Sequence, residues 1–126
     1  MKKIKVLIVE DDTALRETWE MFFENFGFYI HTAANGLEAI EIIRDHAPEI
    51  IVTDLQMPVK DGYFVLEYIK SKNIDAKVWV CSGHLLTKEN ISSKYKIDEI
   101  LTKPFDMLVI VKEIISIISK NNSKKT

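Results

Sequence analysis

One cysteine, Cys81, stands among the 126 residues, so no internal disulfide can form and the chain fits a reducing compartment. No charge of one sign prevails. The formal net charge is −2, which removes the argument for nucleic-acid binding through a basic surface. Long apolar runs are missing as well. Met1-Lys2-Lys3 leads into only about six apolar-dominated residues before three acids, too few for a signal peptide or a membrane span. Internal repeats and low-complexity segments are absent. These gaps exclude secreted disulfide scaffolds and membrane proteins, and they leave a cytoplasmic globular chain. What is present fits that class: 47% apolar and 29% charged residues, in a length suited to one domain with a single core. Residues 1–120 are read as that domain, and the polar 121–126 as a disordered tail or truncated linker.

Short β-branched runs alternate with helical patterns. Ile4 to Val9 reads as a buried strand cut off by Glu10-Asp11-Asp12, and a helix follows with Asp12 or Thr13 as N-cap. Leu15, Trp19, Phe22 and Phe26 form the predicted inner stripe of that helix, and Gly27 ends it. Phe28 to Thr32 is a second strand. Asn35-Gly36 opens a helix facing inward with Leu37, Ala39, Ile40 and Ile43, which Pro48 stops. Ile50 to Asp54 is the third strand. The helix after it, from about Tyr63 to Lys72, buries Leu66 and Ile69 with aromatic help from Tyr63 and Phe64. Lys77 to Cys81 is the fourth strand, Leu86 to Lys96 a weakly held helix, Asp98 to Thr102 the fifth strand, and about Phe105 to Ser119 the last helix. Strict alternation of five such units predicts an α/β fold: a parallel five-stranded sheet flanked by five helices, (βα)5, in the flavodoxin-like doubly wound order 2-1-3-4-5.

The C-terminal ends of parallel strands share one edge. Glu10, Asp11 and Asp12 follow strand one, Asp54 ends strand three, Ser82 ends strand four and Lys103 follows strand five. Three or four carboxylates, a hydroxyl and an ammonium therefore converge on one shallow site. Clustered carboxylates repel, and one lysine does not balance them. Oxygen donors of this kind suit a hard divalent cation, Mg²⁺ or Mn²⁺. The Ser82 hydroxyl and Lys103 ammonium suit the oxygens of a phosphoryl group, with Asp54 as nucleophile.

These residues in this order resemble the receiver domain of two-component response regulators. The resemblance covers the whole chain. It rests on Glu10-Asp11-Asp12, the run Asp54-Leu55-Gln56-Met57-Pro58 with Asp61-Gly62, then Ser82-Gly83 and Lys103-Pro104-Phe105. It implies that Asp54 accepts a phosphoryl group from a sensor histidine kinase or phosphotransfer protein. Asp11 would bind Mg²⁺ directly, Glu10 largely through water and Gln56 through its backbone carbonyl, with Asp12 as a minor member of the acidic cluster. Ser82, with Gly83, and Lys103 would hold the phosphoryl oxygens, and the Lys103-Pro104 bond would be cis. Gln56 and His84 would tune dephosphorylation. The implied role is a phosphorylation-dependent switch rather than a turnover enzyme. The face of the fourth helix, fifth strand and last helix would meet a downstream protein or effector domain, or a second copy, with no direct nucleic-acid or membrane contact.

One position departs from the pattern. Where the family places Tyr or Phe three residues before the lysine, this chain has Ile100, a stiff side chain with no ring to swing. The resemblance therefore implies a smaller or differently routed conformational response. Two other classes compete for the same residues. A metal-dependent phosphohydrolase would want an aspartate where Gln56 stands, and a non-phosphorylated binding module would need only the fold.

Overall fold

The structure, a computed structural model that describes residues 3–83 and 91–124, places the third strand where its β-branched run predicts it. Strand β3 spans Ile50–Asp54, and all five residues are buried. Around it lie β1 (Lys5–Val9), β2 (Tyr29–Ala33), β4 (Lys77–Ser82) and β5 (Glu99–Thr102). All pairings are parallel and the order is β2-β1-β3-β4-β5. Four helices are described: α1 (Thr13–Asn25), α2 (Gly36–His46), α3 (Gly62–Ser71) and α4 (Met107–Lys124). Of the helix expected over Leu86 to Lys96, residues 86–90 lie outside the described residues, and within 91–96 only Ile91 and Ser92 are helical before a turn. The last helix is longer than its apolar pattern suggested. Among the described residues, no helix is long and apolar enough to cross a membrane.

The strand period of two divides the core into layers. Leu7 and Val9 of β1 join Ile51, Val78 and Val80 on the side that also holds Ala39, Ile43, Val65, Leu66 and Ile69 of α2 and α3. Val6 and Ile8 join Val52, Trp79 and Cys81 on the other side, under Trp19 and Phe23 of α1 and Ile110, Val111 and Ile114 of α4. A buried parallel sheet requires apolar residues on both faces, which explains why its strands lack polar alternation.

Several inward faces differ from expectation. In α1 the buried pair is Trp19 and Phe23, whereas Phe26 is 40% exposed. Phe26 is the C-cap, with φ −95°, so its side chain leaves the helical stripe before Gly27 turns the chain at φ +86°. Phe23 instead stacks on Trp19 at 5.8 Å and meets Phe28 edge-on at 5.2 Å. In α2, Gly36, Ala39 and Ile43 are buried, Gly36 lying against Lys60, and Leu37 is exposed. In α3, Val65 joins Leu66 and Ile69 inside, Tyr63 is exposed, and the half-buried Phe64 lies under the Lys60 ammonium at 5.3 Å.

Phe23→Ala should lower the unfolding free energy by about 3–5 kcal/mol, the usual loss for a buried phenylalanine. Phe26→Ala should cost less than about 1 kcal/mol. Urea denaturation of the two variants checks this, and the opposite ranking would return Phe26 to the core.

Candidate functional site

The site is built from the four strand ends. Buried Asp54 closes β3, held by β4 on one side through the Leu55 N–H bond to the Cys81 carbonyl, 3.1 Å. Lys103 follows β5, and its backbone N–H reaches the Ser82 carbonyl at 2.8 Å. Its ammonium lies 2.9 Å from Asp54 Oδ2 and 4.0 Å from Glu10 Oε1. The peptide bond from Lys103 to Pro104 is cis, as the resemblance implied, and the next residue, Phe105, packs on Trp19 at 5.5 Å. The lysine loop is thereby anchored to α1.

Glu10, Asp11 and Asp54 each offer a carboxylate oxygen within 4.8 Å of the others. Glu10 and Asp54 are buried and Asp11 is exposed, so the cluster opens to solvent on one side. Three carboxylates facing one ammonium leave two unbalanced negative charges when all are ionised. Closely grouped oxygen donors with that excess fit a small divalent cation. Burial pushes the Glu10 carboxyl up from 4.5 to about 7, with the charge of Asp54 adding to the rise and the Asp12 N–H bond and Lys103 opposing it. Burial works to lower the Lys103 pKa, but its bond to Asp54 and the charges of Asp54 and Glu10 outweigh this, and the net shift is upward.

Asp12 has a different task from the rest of the acidic run. Its Oδ1 caps α1 by accepting the Leu15 N–H at 3.0 Å, and it meets the cluster through its backbone N–H to Glu10 Oε2, 3.2 Å. Gln56, two residues after Asp54, is exposed, with its N–H on Asp54 Oδ1 at 3.3 Å. Ser82 is buried at the end of β4 and Gly83 is exposed after it. Ile100 is half-buried opposite Val80 on β5, against the layer of α2 and α3. His84 lies outside the described residues.

One contributor was missed in the sequence, and another, quoted there within the motif, was given no role at the site. Arg16 Nη1 donates to the Glu10 carbonyl at 2.9 Å and to the Asp11 carbonyl at 3.4 Å, pinning the acidic loop from α1. An arginine in a first helical turn reads as a solvated charge, and only the fold reveals its partners. Gly62 is the second. A Cβ there would overlap the Asp54 carbonyl and lie 2.7 Å from Leu55 Cα, so α3 can pack behind Asp54 only without a side chain. Asp61 caps that helix by accepting the Phe64 N–H at 3.2 Å.

Residues 6–115 match the response regulator receiver domain family. The chain belongs to that family. This receiver domain is 32% identical over 119 residues to response regulator RR06 of Streptococcus pneumoniae, covering 93% of this chain and 54% of that protein. It is 28% identical to the transcriptional regulatory protein PrrA of Mycobacterium tuberculosis, over 97% of this chain and 53% of that one. The chain spans about half the length of both relatives. Among solved structures, the receiver domain of Francisella response regulator 1452 superposes with a TM-score of 0.84 at 29% identity, covering 94% of this chain and 99% of that one.

The raised Glu10 pKa carries a pH signature. Below about 4.5 the group is protonated in both folded and unfolded chains and costs nothing; its ionisation penalty grows as pH climbs to about 7 and persists above. Without divalent cations, Glu10→Gln should therefore raise the melting temperature at about pH 8 and leave it unchanged at about pH 4. Calorimetry at both pH values checks this, and an equal change at both would contradict it.

Proposed function

We propose that this receiver domain takes a phosphoryl group onto Asp54 from a phosphohistidine of a sensor kinase or phosphotransfer protein. The observation that carries the reading is the setting of Asp54: buried at a strand end, with one oxygen on the Lys103 ammonium and the other on the Gln56 N–H. Such a carboxylate is fixed in direction, and its negative charge has cationic company. Its oxygen attacks phosphorus; the O–P bond forms as the N–P bond breaks, and the histidine nitrogen leaves with the electron pair.

Asp11, Glu10, Asp54 and the Gln56 carbonyl would hold the divalent cation, Mg²⁺ or Mn²⁺. When bound, the ion supplies positive charge to the phosphoryl oxygens during transfer. Lys103 moves its ammonium from the carboxylate to a phosphoryl oxygen, and the Ser82 hydroxyl with the backbone at Gly83 holds another. Gln56 and His84 set how readily water reaches the phosphorylated aspartate. The protein acts as a switch whose only chemistry is its own phosphorylation and slow dephosphorylation. Gln56 in place of a second aspartate argues against turnover of phosphate esters.

The output reads as a shift between two arrangements of one surface. The segment before β5, β5 itself and α4 supply that surface, where Leu108 and Val109 leave apolar side chains exposed. Its partner is a downstream protein or effector domain, or a second copy in a homodimer, in the cytoplasm and without direct nucleic-acid contact. Ile100, carrying no ring, makes the response smaller or routes it differently from a member with Tyr or Phe there.

Incubation with acetyl phosphate and Mg²⁺ should add about 80 Da, one phosphoryl group, and Asp54→Ala should abolish the gain. An unchanged mass in the parent chain would leave only a binding module. The same gain in Asp54→Ala would move the acceptor elsewhere.

A further inference from the structure

A second polar site lies at the opposite end of the sheet. At the start of β1 and β2, Lys3, Lys5, Tyr29, His31 and His46 line a hollow of about 330 Å³. His31 stands on β2 opposite Leu7, and Tyr29 opposite Lys5. The rings form a ladder: Tyr29 to His31 at 5.1 Å, and His31 stacked on His46 at 4.1 Å with 28° between planes. Among the described residues, no carboxylate lines the hollow. Two acids of adjoining segments are already engaged: Glu49 accepts the Lys5 backbone N–H at 3.0 Å, and Asp45 pairs with Arg44 at 3.0 Å. Burial lowers the His31 pKa, and the charged groups acting on it, His46 and Lys5, are both cationic.

Part of this is ordinary helix capping. The Lys5 ammonium donates to the His46 carbonyl at 3.2 Å, and cationic groups are favourable at the C-terminus of α2. Capping accounts for Lys5 and His46 but leaves His31, Lys3 and the hollow unexplained. A metal ion is a poor occupant, since stacked parallel imidazoles do not aim their nitrogens at one point and two lysines repel a cation. Two ammoniums and two imidazoles around one hollow offer more donors than the single His46 carbonyl takes up, and such an excess calls for an anion.

We propose that this hollow binds a tetrahedral dianion, free or as a phosphate ester, between the lysine ammoniums and the His31–His46 pair. Binding draws protons onto the histidines, so affinity rises as pH falls through their titration range. The site is separate from the strand edge that carries Asp54, and it stands or falls independently of phosphorylation there.

Sulfate is the probe of choice, because it keeps its double charge across the histidine range. The full chain is titrated in sodium sulfate and in sodium chloride of equal ionic strength, following the imidazole C2–H signals by NMR. His31→Gln and His46→Gln assign those signals. Sulfate should raise both histidine pKa values by about half a unit or more, and should bind about tenfold more tightly near pH 5.5 than near pH 8. Lys3→Gln, which removes no capping bond, should weaken sulfate about threefold or more. Adenosine monophosphate competing at the same signals marks an ester ligand, and equal affinity for AMP and sulfate marks the anion alone; both support the site. Identical titration curves in the two salts, or sulfate affinity indifferent to Lys3→Gln, would overturn it.

Discussion

The contact between the Lys103 ammonium and Asp54 is the constraint on which the site depends. It joins residues 49 apart in sequence, and it exists only because β4 places β5 two strands from β3 in a parallel sheet. Each end is held separately. Asp54 is fixed by the buried strand and by Gly62, which lets α3 start against its carbonyl. Lys103 is fixed by its backbone N–H on the Ser82 carbonyl and by Phe105, which lies on Trp19 in the core. Packing on both faces of the sheet thus delivers two side-chain atoms to within 2.9 Å.

That contact is incomplete by design of the surrounding charges. One ammonium meets Asp54 and Glu10 while Asp11 adds a third carboxylate to the cluster, and Glu10 is buried enough to hold its proton more tightly than an exposed acid would. The fold therefore maintains a cluster that is under-neutralised, at a cost that rises with pH. An under-neutralised carboxylate group is what a divalent cation and a transferring phosphoryl group require: negative oxygens already gathered, with an ammonium beside them. Arg16 keeps the backbone of the acidic loop in place while leaving its carboxylates free of guanidinium contact among the bonds observed.

Much of this was legible in the sequence because parallel strands convert linear order into a shared edge. The run Ile50 to Asp54 could be read as a buried strand by its unbroken β-branched character, and the residue following each strand then had only one place to go. Inward faces of helices were less legible. Phe22, Phe23 and Phe26 all satisfy a helical stripe to within one position, and the choice of Phe23 was made by Trp19 and Phe28, which come from tertiary packing. Leu37 illustrates the same limit, since the closeness of Gly36 to the Lys60 carbonyl sets the rotation of α2. Arg16 and the His31–His46 pair were illegible for a different reason. Their partners are backbone carbonyls or residues on other elements, which local patterning does not encode.

The excess negative charge at the strand edge is the central physical claim, and Mg²⁺ titration calorimetry at fixed ionic strength tests it most directly. The account predicts one Mg²⁺ per chain, with Asp11→Asn weakening the affinity about tenfold or more, as loss of one carboxylate from a small cluster should. Absence of binding, or an affinity untouched by Asp11→Asn, would contradict it.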